Sequence, residues 1–238
     1  MESKEIYQRL TQCGIPATQE LAQGLATYHR LLMDWNTRMD LTAVTEEAEM
    51  LDRHYVDALS PLARPGLLPQ TGTLIDVGTG AGFPGMVLKI LVPSLEVTLL
   101  DSLQKRLAWL EELSVDLGLS GLTFLHGRAE EEGQDPALRE RFDFAAARAV
   151  ADLRLLCELC LPFVKVGGRF LAMKSVDSEG ELDAARPAIQ TLGGELAGTY
   201  DYAIPHTQVT HRVIVVEKVR PTPPAYPRRW TKLQKSPL

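Results

Sequence analysis

From residue 73 the chain alternates short apolar runs with helical stretches, and this alternation limits its fold more than any other feature. TLIDV, EVTLL, LTFLH, DFAAA and RFLAM have the length and apolar character of buried strands, and helices are predicted over 84–92, 103–117, 152–161 and 179–191. Short strands interleaved with helices specify an α/β fold with a doubly wound, mostly parallel sheet. Two further strands, near 195–204 and 211–218, have no helix between them and predict a terminal antiparallel hairpin on that sheet.

The residues before this region have a different period. In TQELAQGLATYHRLLMDWNTRM, Leu21, Leu25, Tyr28, Leu32 and Trp35 fall on one helical stripe, with Thr18 in the N-cap region. EEAEMLDRHYVDALSPL continues helically, and PGLLPQTG supplies the punctuation of a linker. The predicted organisation is a helical N-terminal segment over 1–64, a sheet domain over 65–219 and a tail over 220–238. The tail, ending PTPPAYPRRWTKLQKSPL, is Pro-rich and basic, which predicts an extended segment rather than another element.

Charge and cysteine usage narrow the function classes. The net charge is −6, yet residues 201–238 hold seven Lys and Arg against two acids, so any polyanion contact is expected to be local to that end. Cys13, Cys157 and Cys160 cannot all pair, and no second CxxC completes a zinc site; Cys157 and Cys160 in LRLLCELCLP belong to an apolar helix face. The charged first residues do not form a signal peptide, and no apolar run reaches about 18 residues. A cytoplasmic monomer without metal or membrane contact is expected.

LIDVGTGAGFPG, residues 74–85, marks the ligand site. A G-x-G-x-x-G can be drawn from Gly80 to Gly85, but a dinucleotide fits its surroundings poorly. Asp76 would repel a pyrophosphate on the helix N-terminus, and Pro84 removes one N–H donor. A cationic ligand without phosphate suits the loop better. S-adenosylmethionine has that chemistry, with Asp76, Gly78, Gly80 and Gly82 beside its methionine part. Asp101, at the end of VTLLD, is placed to accept from the ribose hydroxyls, to cap the following helix, or to do both.

The acceptor is approached by elimination. An Asn/Asp-Pro-Pro-aromatic turn for exocyclic amino groups is missing where the chain reads FAAARAVAD, and the cysteines lie on a helix face, away from strand ends where a nucleophile would act. Arg128, Arg148 and Lys174 follow strand ends and Arg212 begins RVIVV, so these four are the candidates for positioning a substrate. Sequence leaves open which of them holds it. His54 is expected to orient the helical segment, and His126, His206 and His211 to be structural or to face the substrate.

LTAVTEEAEMLDRHYVDAL, DVGTGAGFPG, VTLLDSLQKRLAWLEEL, GRAEE, ARAVADL and the AYPRR tail together resemble the bacterial small-subunit rRNA (guanine-N7)-methyltransferase family, RsmG or GidB, from about residue 5 to the C-terminus. The resemblance implies a Rossmann-like class I S-adenosylmethionine-dependent methyltransferase domain. It also implies cofactor contacts at Gly78, Phe83, Ala129, Glu130 and Arg148, and as substrate one guanine in the decoding-region loop of 16S rRNA, free or in the small ribosomal subunit. Guanine N7 has a lone pair and no proton, so no general base is expected. The tail departs from the family, with Trp230-Thr231-Lys232-Leu233 where relatives commonly have Pro-Gly-Thr-Pro. The alternatives are a small-molecule methyltransferase, an NAD-dependent oxidoreductase and a non-catalytic RNA-binding protein on the same fold.

Overall fold

The computed structural model describes residues 1–67, 70–148, 151–176 and 179–238. Parts of the predicted linker (68–69), of ARAVADL (149–150) and of the segment before the fourth predicted helix (177–178) lie outside the described residues. Helices α1 (Ser3–Gln12) and α2 (Gln19–Asn36) come first. They are followed by α3 (Glu47–Met50), a π-helical segment Leu51–Val56, α4 (Asp57–Leu59) and a 3₁₀ turn Ser60–Ala63. Thr18 accepts a hydrogen bond from the Leu21 N–H at 3.1 Å, capping α2, and the predicted stripe is buried at Leu21, Leu25, Tyr28 and Leu32.

The sheet contains β1 (Gly72–Val77), β2 (Leu95–Asp101), β3 (Leu122–His126), β4 (Phe142–Arg148), β5 (Val164–Ser175), β6 (Gly194–Ala203) and β7 (Thr210–Lys218). The strand order is β3-β2-β1-β4-β5-β7-β6. The first five strands are parallel, and β7 runs antiparallel to both β5 and β6, which forms the expected terminal hairpin. Between the strands lie α5 (Gly85–Leu91), α6 (Gln104–Asp116), α7 (Ala129–Glu132), α8 (Leu153–Cys160) and α9 (Glu179–Thr191).

Strand side chains alternate between two cores, as the period of two requires. Leu74, Leu99, Ala146, Leu171 and Val213 face one core, shared with α1, α2, α5 and α6. Ile75, Leu100, Ala145, Phe170 and Ile214 face the other, shared with α8 and α9, where Cys157 and Cys160 are packed with no exposure. The N-terminal helices therefore form one wall of the sheet's own core.

The extended tail is a correction. Residues Trp230–Lys235 form a helix, α10, and Leu233 is fully buried against α8 and α9's side of the sheet. Arg228 is bound to the fully buried Glu158 of α8, with Nη2 to Oε2 at 2.6 Å and Nε to Oε1 at 2.8 Å. Arg139 donates to the carbonyls of Tyr226 at 2.7 Å and Thr222 at 2.8 Å. Burying a leucine contributes about 1.5–3 kcal/mol, and a buried glutamate needs its cation, so long-range contacts override the composition of the segment. Among the described residues no helix is long and apolar enough to cross a membrane.

Candidate active site

The loop after β1 is shaped by glycines at φ 73° (Gly78), 59° (Gly80) and 105° (Gly82), values that side chains disfavour. They serve different purposes. A Cβ on Gly82 would collide with the Tyr28 hydroxyl and meet Leu110 at 2.8 Å, so Gly82 permits packing. A Cβ on Gly80 would meet only the Gly78 carbonyl oxygen, at 3.9 Å, so backbone is left open there.

Asp76 is completely buried beneath this loop. Its Oδ2 accepts from the Thr79 hydroxyl at 2.7 Å and from the Gly85 N–H at 2.9 Å, and its Oδ1 has no partner among the described residues. Burial pushes its carboxyl up to about 6, against the lowering effect of those two hydrogen bonds. The acid occupies the first donor of α5, so the site where a pyrophosphate would sit offers a carboxylate instead.

Above the loop is a cavity of about 450 Å³, within the usual range for small-molecule sites. Gly78, Thr79, Gly80, Ala81 and Phe83 supply one side, Asp101, Ser102 and Arg106 a second, and Leu41, Thr42, His54 and Arg148 close it. Asp101 Oδ2 accepts from the Gly80 N–H at 2.9 Å and from Arg106 at 3.4 Å, while Oδ1 accepts from the Leu103 N–H at 2.9 Å. It holds the turn into α6 and also lines the cavity. The loop itself rests on the N-terminal helices: Tyr28 stacks on Phe83 at 5.4 Å and donates to the Ala81 carbonyl.

Arg148 and His54 also line a second cavity of about 450 Å³, completed by Asp57, Lys174, Glu181 and His211 and by the apolar Val44, Met173, Ile204 and Val209. The wall between the cavities is rigidly held. Arg148 donates to Asp57 Oδ2 at 2.9 Å, to the Arg53 carbonyl at 3.1 Å and to His54 Nδ1 at 3.2 Å, and its guanidinium lies 5.0 Å from the Phe83 ring centre. A guanidinium can only donate, so Nδ1 accepts and Nε2 carries the proton, which it donates to Thr42 Oγ1 at 2.8 Å. Burial, then the Arg148 charge, lowers His54 to about 4, so the ring is neutral. Asp57 also accepts from Tyr202 at 2.7 Å and His211 at 2.8 Å. Burial raises its pKa, but these hydrogen bonds and the Arg148 charge outweigh that effect and hold it below the usual carboxylate value.

Of the predicted site residues, Gly78, Gly80, Phe83, Asp101 and Arg148 meet at the first cavity, and Arg148 and Lys174 at the second. Asp76 and Gly82 support the loop from below without lining either. Arg128 pairs with the buried Glu130 at 2.6 Å and lies over Trp230, lining a separate surface cleft with it; Ala129 lines neither cavity. The Gly127 N–H donates to the Asp101 carbonyl at 3.2 Å, which sets these residues' loop beside the end of β2. Arg212 faces Asp201 at 2.6 Å, on the opposite side of β7 from His211. Thr42, Asp57, Arg106 and Glu181 were not legible as site residues, and His211, expected to be structural or to face the substrate, lines the second cavity and donates to Asp57. Of these four only Asp57 had a signal, lying three residues after His54 in the same helical segment.

A mostly parallel sheet extended by an antiparallel β7, with an acid-floored glycine loop and a second acid ending the neighbouring strand, defines a Rossmann-like class I methyltransferase. The fold is shared with the crystal structure of M. jannaschii TYW2 in complex with AdoMet, at a TM-score of 0.56 and 13% identity over 76% of this chain and 81% of that one. Residues 21–208 match the family model GidB, rRNA small subunit methyltransferase G. Ribosomal RNA small subunit methyltransferase G of Alkaliphilus metalliredigens (strain QYMF) is 46% identical over 239 residues, and that of Streptococcus pyogenes serotype M12 (strain MGAS9429) 40% over 238, each match covering 100% of both chains. The chain belongs to this family and is a methyltransferase for small-subunit ribosomal RNA.

Proposed function

We propose that the protein transfers a methyl group from S-adenosylmethionine to N7 of one guanine in the decoding-region loop of 16S rRNA, in the cytoplasm. The carrying observation is the pair of cavities that share Arg148 and His54. One has open glycine backbone, Asp101 on its wall and Asp76 buried beneath the loop, suited to a cationic ligand with ribose hydroxyls; the other has apolar walls with Arg148 and Lys174 beside the carboxylates of Asp57 and Glu181, suited to a base whose edge carries acceptors and donors. Gly78, Gly80, Phe83 and Asp101 would hold the cofactor, with Asp76 and Gly82 shaping the loop beneath and Ala129 and Glu130 on the neighbouring loop. When bound, S-adenosylmethionine supplies a methyl group on a positively charged sulfur.

The protein's task is placement. N7 needs no proton removed, and orientation alone can supply roughly 7–11 kcal/mol of a barrier. Arg148, fixed by Asp57, the Arg53 carbonyl and His54, and Lys174, fixed by the Ala151 carbonyl at 2.9 Å, are the anchored cations that position the base, whereas Arg53, which also lines the cavity, is half exposed and pairs with Glu49 at 2.8 Å. Arg128 and Arg212 lie outside both cavities and carry no part in this placement. Since His54 is neutral, the chemical step at saturation is expected to be nearly flat between about pH 6.5 and 8.5.

The test is to incubate the protein with labelled S-adenosylmethionine and with either small subunits or naked rRNA from cells lacking the activity, then map the label. A single 7-methylguanosine supports the reading. Label on an exocyclic amine, on carbon or on a small metabolite overturns it.

A further inference from the structure

The second cavity contains a carboxylate that methyl transfer to N7 does not require. Glu181, near the start of α9, lines the cavity with Arg148 and Lys174. Its Oε2 accepts from the Leu153 N–H at 3.1 Å and pairs with Lys174 Nζ at 2.8 Å. Among the described residues Oε1 has no hydrogen-bond partner; the side chain is 34% exposed and lines, with the apolar Val44, Met173, Ile204 and Val209, a cavity of about 450 Å³, room for a flat ring.

A guanine edge presents, in order, N7 and O6 as acceptors and then N1–H and the 2-amino group as donors. Arg148 belongs to both cavities, whereas Lys174 and Glu181 belong only to the second and are bonded to each other. The cavity therefore offers Arg148 at the shared wall and, within the second cavity's own lining, a cation beside a carboxylate, groups that complement the acceptors N7 and O6 and the donors N1–H and 2-amino when N7 faces that wall. An ionised carboxylate oxygen has two acceptor sites and no donor. Adenine would place an unprotonated N1 against it.

We propose that the second cavity receives the target base and that Glu181 is a specificity-determining residue, its Oε1 accepting from N1–H and the 2-amino group of guanine. This rests on the proposed guanine methylation and deepens it. A site built to accept from a particular N–H rejects the analogue lacking it.

The experiment compares single-turnover methylation of small-subunit rRNA carrying guanosine or inosine at the mapped target; inosine keeps N7, O6 and N1–H and lacks only the 2-amino group. Hydrogen bonds to a charged acceptor predict that the wild type favours guanosine about 10–150-fold. Glu181→Gln must keep its amide oxygen toward Leu153 and Lys174, so its NH₂ would face the base's donors. The guanosine rate is then expected to fall and the guanosine-to-inosine ratio to collapse toward one, with cofactor titration unchanged. A ratio near one in the wild type, which requires no variant to fold, overturns the assignment. So does a preserved ratio in Glu181→Gln that binds cofactor normally, the result expected if Glu181 merely caps α8. Both leave 7-methylguanosine as the product; failure of the proposed function itself is read separately, as product label elsewhere than guanine N7.

Discussion

The two cavities on either side of Arg148 are of similar size but are built differently. Most of the first is local: Gly78 to Phe83 come from one loop and Asp101 to Arg106 from the next strand end. The second is gathered from the N-terminal segment, the ends of β4 and β5, α9 and the terminal hairpin. Asp57 joins these parts, accepting from Arg148 across 91 residues of chain, from Tyr202 across 145 and from His211 across 154. Most of the glycine-loop cavity is thus carried by consecutive βα units and only closed by the N-terminal segment and Arg148, whereas the second cavity exists only once the whole chain has folded.

The largest effects are expected where one residue serves both cavities. Arg148→Ala leaves Asp57, 2% exposed, without its guanidinium, and removing one partner of a buried pair costs about 3–5 kcal/mol. Stability, cofactor affinity and methylation should fall together, and Arg148→Lys should not restore them because one ammonium cannot reproduce the forked hydrogen bonds to Asp57, the Arg53 carbonyl and His54. Arg228→Ala is the matched control: it exposes the same liability at Glu158, away from both cavities, and should lower the melting temperature comparably while the folded protein keeps its cofactor affinity. Thermal melts and cofactor titration of both variants decide this. Full methylation by Arg148→Ala would dissolve the shared wall.

How much was legible follows from the same contrast. The succession of strands and helices, the mostly parallel sheet, the terminal hairpin and the glycine loop could be anticipated because periods of two and 3.6 and the chemistry of Asp76, Pro84 and Asp101 are written over a few residues. α7 has only four residues, too few for a period to show. α10 was hidden by prolines and basic residues, since its reasons to fold, Leu233 burial and the Arg228–Glu158 pair, lie in distant elements. Arg212 was singled out as the cation beginning a strand, but alternation along β7 sends it toward Asp201 and brings His211 to the cavity.

The next effects should separate the cavities. Asp101→Ala removes a charged acceptor and the tether of Gly80, so cofactor affinity should weaken roughly 10–150-fold, with RNA binding retained. Lys174→Ala, outside the first cavity, should leave cofactor affinity unchanged and lower the rate on RNA roughly tenfold or more, as expected for one charge-assisted hydrogen bond. Calorimetric titration and single-turnover rates on each variant form the test. If Lys174→Ala weakened cofactor as much as RNA, the two cavities would be one site.

A smaller effect tests the floor of the first cavity. Asp76, raised to about 6 by burial, is ionised at neutral pH and becomes protonated as pH falls through that value. Only the ionised form attracts a cationic ligand, so binding should release a proton and affinity should drop by up to about tenfold per pH unit below 6. Between pH 5 and 7, titrations should show this slope in the wild type and lose it in Asp76→Asn. A wild-type profile that is flat there would mean that the buried carboxylate only closes the end of α5.

The smallest effect concerns surface that belongs to neither cavity. Arg228 is committed to Glu158, but Arg229, Lys232 and Lys235 of the folded tail are exposed, with Arg229 beside the cleft that holds Arg128 and Trp230. If these three meet phosphates, replacing them together with Ala should lower the slope of log RNA affinity against log salt by about 0.7–0.9 for each phosphate no longer neutralised. Cofactor affinity and melting temperature should be unchanged, because all three side chains are exposed and outside both cavities. Arg228→Ala, by contrast, should leave the slope of the folded protein intact. RNA affinity measured at several salt concentrations for both variants separates these outcomes. A slope unmoved by the triple substitution would confine substrate recognition to the cavity around Arg148 and Lys174 and its immediate rim.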